Sequence, residues 1–363
     1  MKTAIVMPPG SCFCEVRPNS METVVRTLAG ACAHEGEVKV FCCEGAEVYG
    51  DFTVEILPRG RSARLKALRH ALEAYEPDLI EFHQQTSQAT KIAGSIPGAV
   101  SILYRHNALK TSNNPINRWR YKSRYQKLDG LVFVSESERR IFLQDFPELA
   151  DRAYAIPNPI DAELWRGDVE DRDKVIAFAG RAMQEKGVDL ICAALPDILD
   201  RHPDWRAVLM LNDWEMHGGW AQPHVAPLER YGERVRVLRS ASLGDVRNVM
   251  KRAAIALTPS TWSEPLGLTA LEAHAAGAAL ISSGRGGLRE ASGPHALYVD
   301  ELTADNLGAA MESLVVDPAR RLAMARAAQA FVIETHSPAA RAAELNALRC
   351  SLLGARRTRR MAA

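Results

Sequence analysis

The segment TPSTWSEPLGLTALEAHAAGAALISSGRGGLRE, residues 258–290, runs from the end of one strand through a helix to the next strand. The apolar run IALTP ends at Pro259, a polar loop carries Glu264 and Pro265, and an Ala- and Leu-rich helix is predicted to begin near Gly267. ALISS reads as the next strand. Strand–helix alternation of this kind builds a parallel sheet with helices on both faces. Glu264 and Glu272 are separated by seven residues, the first just before the helix and the second about one turn inside it.

That arrangement offers two chemistries. The free N–H groups of Leu266, Gly267 and Leu268 at a helix start, with the helix dipole behind them, form a seat for phosphate. Gly267 removes side-chain bulk where an anion must approach the backbone. Carboxylates suit sugar hydroxyls, because each oxygen accepts charge-assisted hydrogen bonds. Taken alone, the pair also fits a plainer purpose, since acidic residues near a helix N-terminus stabilise the dipole.

Upstream, VIAFAGRAMQEKGVDL (residues 175–190) repeats the pattern: a buried strand ends in Gly180-Arg181, and Lys186-Gly187 opens a helix. A forked guanidinium and a mobile ammonium suit a diphosphate leaving group. They would neutralise the charge that grows as a sugar–phosphate bond breaks. An exposed loop with a Glu185–Lys186 surface pair is the alternative.

Alternation extends both ways. KTAIVMPP, VKVFCC, DLIEFH, AVSILYRHN and DGLVFVS read as strands before residue 160, with helices in SMETVVRTLAGACAHEG (Ser20 as N-cap, Gly36 as stop) and ARLKALRHALEAY. AIPNPIDAELWRGDVEDRDK is irregular, proline-bearing and charged, and reads as the link to a second series. The strands RAVLML and RVRVL follow, then an Ala-rich helical tail. The expected domains are residues 1–163, residues 164–335, and a tail at 336–363 returning to the first.

The bulk numbers fit. A chain of 363 residues with 47% hydrophobic and 25% charged residues suits two globular domains. A net charge of +1 gives no overall field for nucleic acid. The seven cysteines match no zinc spacing. Cys32, Cys42 and Cys43 read as reduced core thiols, Cys12 and Cys14 as loop residues. No run reaches the roughly 18 apolar residues of a membrane span, so the expected location is cytoplasmic, at the inner face of the membrane.

GRAMQEKG, then PSTWSEPLGLTALEAHAAG, then GGLRE resemble in order and spacing the signature of the retaining glycosyltransferases of family four; DGLVFVSESERR and IPNPID resemble their approach to the linker. The resemblance is strong over residues 129–300 and weak before that. It implies the GT-B fold: two Rossmann-like, doubly wound α/β domains facing a cleft. It implies transfer from a nucleotide-diphosphate sugar to a hydroxyl of a saccharide or lipid-linked glycan, with retention, in bacterial envelope polysaccharide or lipopolysaccharide synthesis. Arg181 and Lys186 would hold the diphosphate, Glu264 the sugar hydroxyls and Glu272 the ribose, with the backbone at residues 266–268 capping the phosphates. His106 matches a histidine near the donor sugar, and a hydrogen-bonding role stands beside a catalytic one. No cofactor and no essential metal are expected.

Departures are visible too. Where relatives carry Gly-Gly before the first helix this chain has Asn19-Ser20, so the close phosphate contact falls to Gly10 and Ser11 or is lost. WEMHGGWAQPH, with Trp214, His217 and Trp220, reads either as an acceptor or base pocket or as an insertion on the surface. Basic clusters at Arg59, Arg61, Arg64, Lys66 and Arg69, in NRWRYKSRYQK, and at Arg356, Arg357, Arg359 and Arg360 suit an anionic membrane or an acidic saccharide, or are solvated faces. A sugar-nucleotide-binding protein with reduced catalysis, or another GT-B enzyme such as an epimerase, are the competing readings.

Overall fold

The computed structural model describes residues 1–11, 13, 19–33, 36–43 and 52–361, without the side chains of 359–361. Cys12 and Cys14 lie outside them. Two compact units result: Met1–Pro159 with Pro338–Ala363, and Ile160–Ser337.

The first unit is a parallel sheet of β1 (Lys2–Val6), β2 (Glu37–Cys43), β3 (Thr53–Leu57), β4 (Leu79–His83), β5 (Val100–Arg105), β6 (Gly130–Phe133) and β7 (Ala153–Ala155). Their order across the sheet is β3-β2-β1-β4-β5-β6-β7. Helices α1 (Ser20–Ala33), α2 (Arg61–Tyr75), α3 (Thr86–Ile92), α4 (Pro115–Tyr125) and α5 (Glu136–Asp145) connect them. The central strands are buried along their length, as their Val, Ile, Leu and Phe content requires. Each fully buried side chain of this kind contributes about 1.5–3 kcal/mol relative to exposure.

In the second unit β8 (Asp173–Arg181), β9 (Arg206–Asn212), β10 (Val235–Arg239), β11 (Ala253–Thr258), β12 (Ala279–Ser282) and β13 (Leu297–Tyr298) lie in the order β10-β9-β8-β11-β12-β13. The helices are α6 (Ala162–Trp165), α7 (Val188–Arg201), α8 (Trp214–Val225), α9 (Leu243–Met250), α10 (Leu268–Ala276), α11 (Leu288–Ser292), α12 (Ala304–Val315) and α13 (Pro318–Thr335). The last helix, α14 (Pro338–Met361), belongs to the first unit. Both sheets reverse strand order beside their first strand, and the carboxyl ends flanking such a switch point are where open α/β sheets bind ligands.

Several local expectations need correction. Helix α1 is capped by Asn19, not Ser20: the Asn19 side chain accepts from Glu22 N at 2.9 Å and Glu22 Oε2 accepts from Asn19 N at 3.0 Å. Its described residues run to Ala33, and those between Ala33 and Gly36 lie outside the described residues. Arg64 is not a surface cation. It is 1% exposed and donates to Met7 O at 2.7 Å and to the Cys43 thiol at 3.0 Å. The charged stretch read as a link is partly core, since Ile160 and Trp165 are buried and β8 already begins at Asp173. WEMHGGWAQPH forms the first part of α8, in the crossover from β9 to β10. Ala221 and Val225 are buried in the second core, and Trp214 and Trp220 pack against it.

Candidate functional site

In the second unit three loops meet at the carboxyl edge around β8 and β11. The first follows β8. Arg181 closes that strand and is exposed, and its side chain makes no hydrogen bond or ion pair among the described residues. Gly187 sits at φ +73°, and a Cβ there would lie 2.2 Å from Pro259 O, so the loop after β8 packs directly on the one after β11. Thr261 N donates to Glu185 O at 2.9 Å and fastens the two together. The third loop, at Gly286-Gly287, lies on the second: Gly287 N donates to Glu264 O at 2.8 Å, and a Cβ on Gly286 would meet that oxygen at 2.3 Å.

This stacking fixes Glu264. Its side chain is nearly buried, and Oε1 accepts both from Lys186 Nζ at 2.5 Å and from Ser260 Oγ at 2.5 Å. Oε2 has no partner among the described residues. One oxygen is therefore anchored, and the other is left for a hydroxyl donor. Lys186 also lies 5.5 Å from the centre of the Trp262 ring.

Three residues after Glu264, Gly267 takes φ +100° and leads into α10. The N–H groups of Gly267, Leu268 and Thr269 make no hydrogen bond among the described residues. They form the open helix start that suits an anion. Glu272 follows in the second turn, and its carboxyl has no hydrogen-bond partner among the described residues. Burial alone raises its pKa to about 7. The structure thus brings Lys186, Glu264, Gly267, Leu268 and Glu272 to one loop cluster, with Leu266 buried beneath it and Arg181 at the strand end beside it.

In the first unit Gly10 and Ser11 form the turn after β1. Gly10 has φ +87° and open space where a Cβ would stand, and its N–H is 3.3 Å from the Cys43 thiol. The neighbouring α1 start is closed by the Asn19–Glu22 capping box. His106 follows β5 and is part-buried. Its Nε2 lies 2.9 Å from Nδ1 of His83, whose Nε2 lies 3.1 Å from Glu81 Oε1. Burial, and then the neighbouring His83 and Arg105, hold the His106 pKa well below its usual value. Gln84 takes φ +61°, unusual for a residue with a side chain, and its Oε1 accepts from His106 N at 3.2 Å.

Glu81, His83 and Gln84 were missed in the sequence. Only the polar letters inside the apolar strand LIEFHQ signalled them.

The two halves match two sequence families. Glycosyl transferases group 1 matches residues 160–331, and Glycosyltransferase Family 4 matches residues 21–164. Spore coat protein SA of Bacillus subtilis is 23% identical over 310 residues, 79% of this chain and 82% of that protein. D-inositol 3-phosphate glycosyltransferase of Corynebacterium aurimucosum is 32% identical over 219 residues, 55% of this chain and 52% of that one. Among solved structures, sucrose-phosphate synthase from Thermosynechococcus elongatus superposes with a TM-score of 0.79 at 18% identity, covering 98% of this chain and 100% of that one. Anabaena HepE in complex with UDP gives 0.76 at 16% identity, covering 97% and 100%.

Proposed function

The chain belongs to the family 4 glycosyltransferases of GT-B fold, and from that premise we propose that it moves a sugar from a nucleoside-diphosphate sugar to a hydroxyl of a saccharide or lipid-linked glycan with retention. The observation that carries this reading is the loop cluster of the second unit. An open helix start, a free guanidinium, an anchored Glu264 and an unpartnered Glu272 lie within it. HepE has been crystallised with UDP and with UDP-glucose, so a uridine diphosphate donor heads the candidates.

The diphosphate would be held by Arg181, Lys186 and the N–H groups at residues 266–268. Glu264 Oε2 would accept from the sugar and Glu272 from the ribose. Gly10 and Ser11 would approach the phosphates, and His106 would touch the donor sugar, as the family resemblance implies. The acceptor hydroxyl arrives on the face the phosphate leaves. The phosphate oxygen takes its proton, and no protein carboxylate attacks the sugar. Retaining hydrolases differ in using two carboxylates. The chain's part is positioning and stabilising the leaving group's charge. Cations and a helix start supply that potential, so no metal or cofactor is required. Unchanged turnover in chelator is the expected result.

Envelope polysaccharide synthesis at the inner face of the membrane remains the favoured setting. Helix α4 supports it: Ile116 and Trp119 are 63% and 66% exposed among Arg120, Lys122 and Arg124. Such a face suits anionic lipid. Among the described residues no helix is long and apolar enough to cross a membrane. Failure to bind anionic liposomes even at low salt would remove the membrane contact.

The test of donor binding is thermal stabilisation by UDP, GDP, ADP, CMP and their sugar conjugates, with Lys186→Ala beside the wild type. A ligand at 100 times its dissociation constant adds about 2.7 kcal/mol. One nucleotide should stabilise the wild type and the variant less. Stabilisation by none would favour the reading with reduced catalysis, to which the closed α1 start lends weight.

A further inference from the structure

We propose that Arg349, Glu81 and His83 form a buried chain that holds His106 in one tautomer, with Nε2 protonated and the Nδ1 lone pair offered as hydrogen-bond acceptor to a hydroxyl of the donor sugar. This deepens the reading of His106 given above and rests on it. Arg349, Glu81 and His83 are each 1% exposed, and Tyr104 is fully buried beside them. Arg349 stands on α14 and grips Glu81 Oε2 through Nη2 at 2.5 Å and Nε at 3.1 Å. Asn346 Oδ1 accepts from Arg349 Nη1 at 2.9 Å, which leaves the guanidinium little freedom. The rings of His83, Tyr104 and His106 lie nearly parallel, with centres 5.1 to 5.2 Å apart.

The proton positions follow from the donor count. Burial opposes charge on Glu81, but Arg349 and His83 outweigh it and hold the Glu81 pKa down to about 2. A carboxylate only accepts, so His83 Nε2 carries a hydrogen. One proton is shared between His83 Nδ1 and His106 Nε2. Were it on His83, that ring would be a cation. Arg349 has already cancelled the charge of Glu81, so the cluster would then hold an uncompensated positive charge away from water. The proton therefore belongs to His106 Nε2, and its Nδ1 is a bare acceptor.

Among the described residues, Glu81 on β4 and Arg105 on β5 act on His106, Arg349 with Arg341 and Glu344 on α14 act on the Tyr104 ring stacked beside it, and the Cys32 thiol of α1 lies against Arg349. None besides Glu81 and Arg349 bonds to either imidazole or to its carboxylate. His106 Nδ1 has no partner among the described residues, and the residue is part-exposed. Arg349 and Glu81 are thus positioning residues acting through His83. A hydroxyl pointed at His106 must donate to it.

The test uses the full chain with nitrogen-15-labelled histidine and reads protonation of each ring nitrogen at neutral pH. His106→Asn identifies the signals. Wild-type His106 should be neutral with Nε2 protonated. In Arg349→Met, Glu81 loses its counter-charge, His83 takes a second proton, and His106 should become protonated at Nδ1. In the double variant Glu81→Gln, Arg349→Met, the amide still accepts from His83 with no net charge left, and the wild-type tautomer should return.

Turnover of the nucleotide sugar that stabilises the chain most should fall about tenfold in the single variant, one hydrogen bond's worth, and largely recover in the double. Stabilisation by the nucleoside diphosphate alone should not change. A mere structural brace gives the opposite order, with the double variant at least as damaged as the single. His106 protonated at Nδ1 in the wild type, or unaltered in Arg349→Met, overturns the proposal. The wild-type spectrum needs no variant, so a misfolded Arg349→Met does not shield it. Tautomers that move as stated without any change in turnover overturn the contact with the donor sugar, and with it the role given to His106 above.

Discussion

The two units share one strand order over their first six strands, yet they treat charge in opposite ways. In the loop cluster of the second unit, among the described residues, the Arg181 side chain is unpaired and exposed, Glu264 has one oxygen to spare, and α10 begins with unpaired N–H groups. In the first unit such groups are closed. Asn19 and Glu22 cap α1, Arg64 is sunk among main-chain carbonyls, and Arg349, Glu81 and His83 satisfy one another. Under the proposed function the contrast would give anion binding to one half and orientation to the other, on sheets of the same design.

The hardest blow to this contrast is Lys186→Ala. It removes a cation from the open half and leaves the Glu264 carboxylate without its ion-pair partner. Turnover should drop about 100-fold or more, as for loss of one preorganised charge-stabilising group. Steady-state kinetics with the preferred donor checks this. Next is Gly267→Ala. With φ +100° and a Cβ 2.4 Å from Leu288 Cδ2, it should cost roughly 1–3 kcal/mol, read as a lower denaturant midpoint with unchanged slope.

Glu272→Gln comes third, at about a tenfold loss of nucleotide affinity. Its pKa is raised from 4.5 to about 7 by burial, so the folded state holds this proton more tightly than the unfolded one. The Glu272 contribution therefore lowers stability as pH rises from about 4.5 to about 7, and the variant should lose that slope. Nucleotide affinity should move the other way and strengthen through pH 7, because the carboxylate accepts ribose hydroxyls better than the acid does. Isothermal titration across that range measures both species.

The mildest change is Asn19→Ala. Losing the cap should cost about 1 kcal/mol and leave nucleotide binding unchanged, since the Asn19–Glu22 box already closes that helix start. Weaker nucleotide binding in this variant would break the contrast between the halves.

What could be read in the sequence divides along the same line. The second unit's cluster lies on short loops whose order is local: GR, KG, the two glutamates and GG stand in strand-end and helix-start contexts that name their own geometry. The first unit's chain is not local. Arg349 lies 268 positions from Glu81, and an arginine in an Ala-rich helix reads as solvated until the fold brings it home. Edge strands were also passed over. TVEIL is half exposed as β3, and β7 is three residues long, so neither carries the apolar run of a central strand. Helix α8 escaped because two glycines and Pro223 lower its intrinsic helicity, which packing against the second core overrides.

The return of α14 gives the molecule an order of assembly. During synthesis the second unit, unbroken from Ile160 to Ser337, emerges whole before the first can be finished. Until Pro338–Met361 follows, Glu81 has a buried place in the nascent sheet and no counter-ion to occupy it with. The half of the chain made first is thus the half that closes last, and a ribosome stalled between the two would hold a finished second unit while the histidine pair of the first is still unlocked.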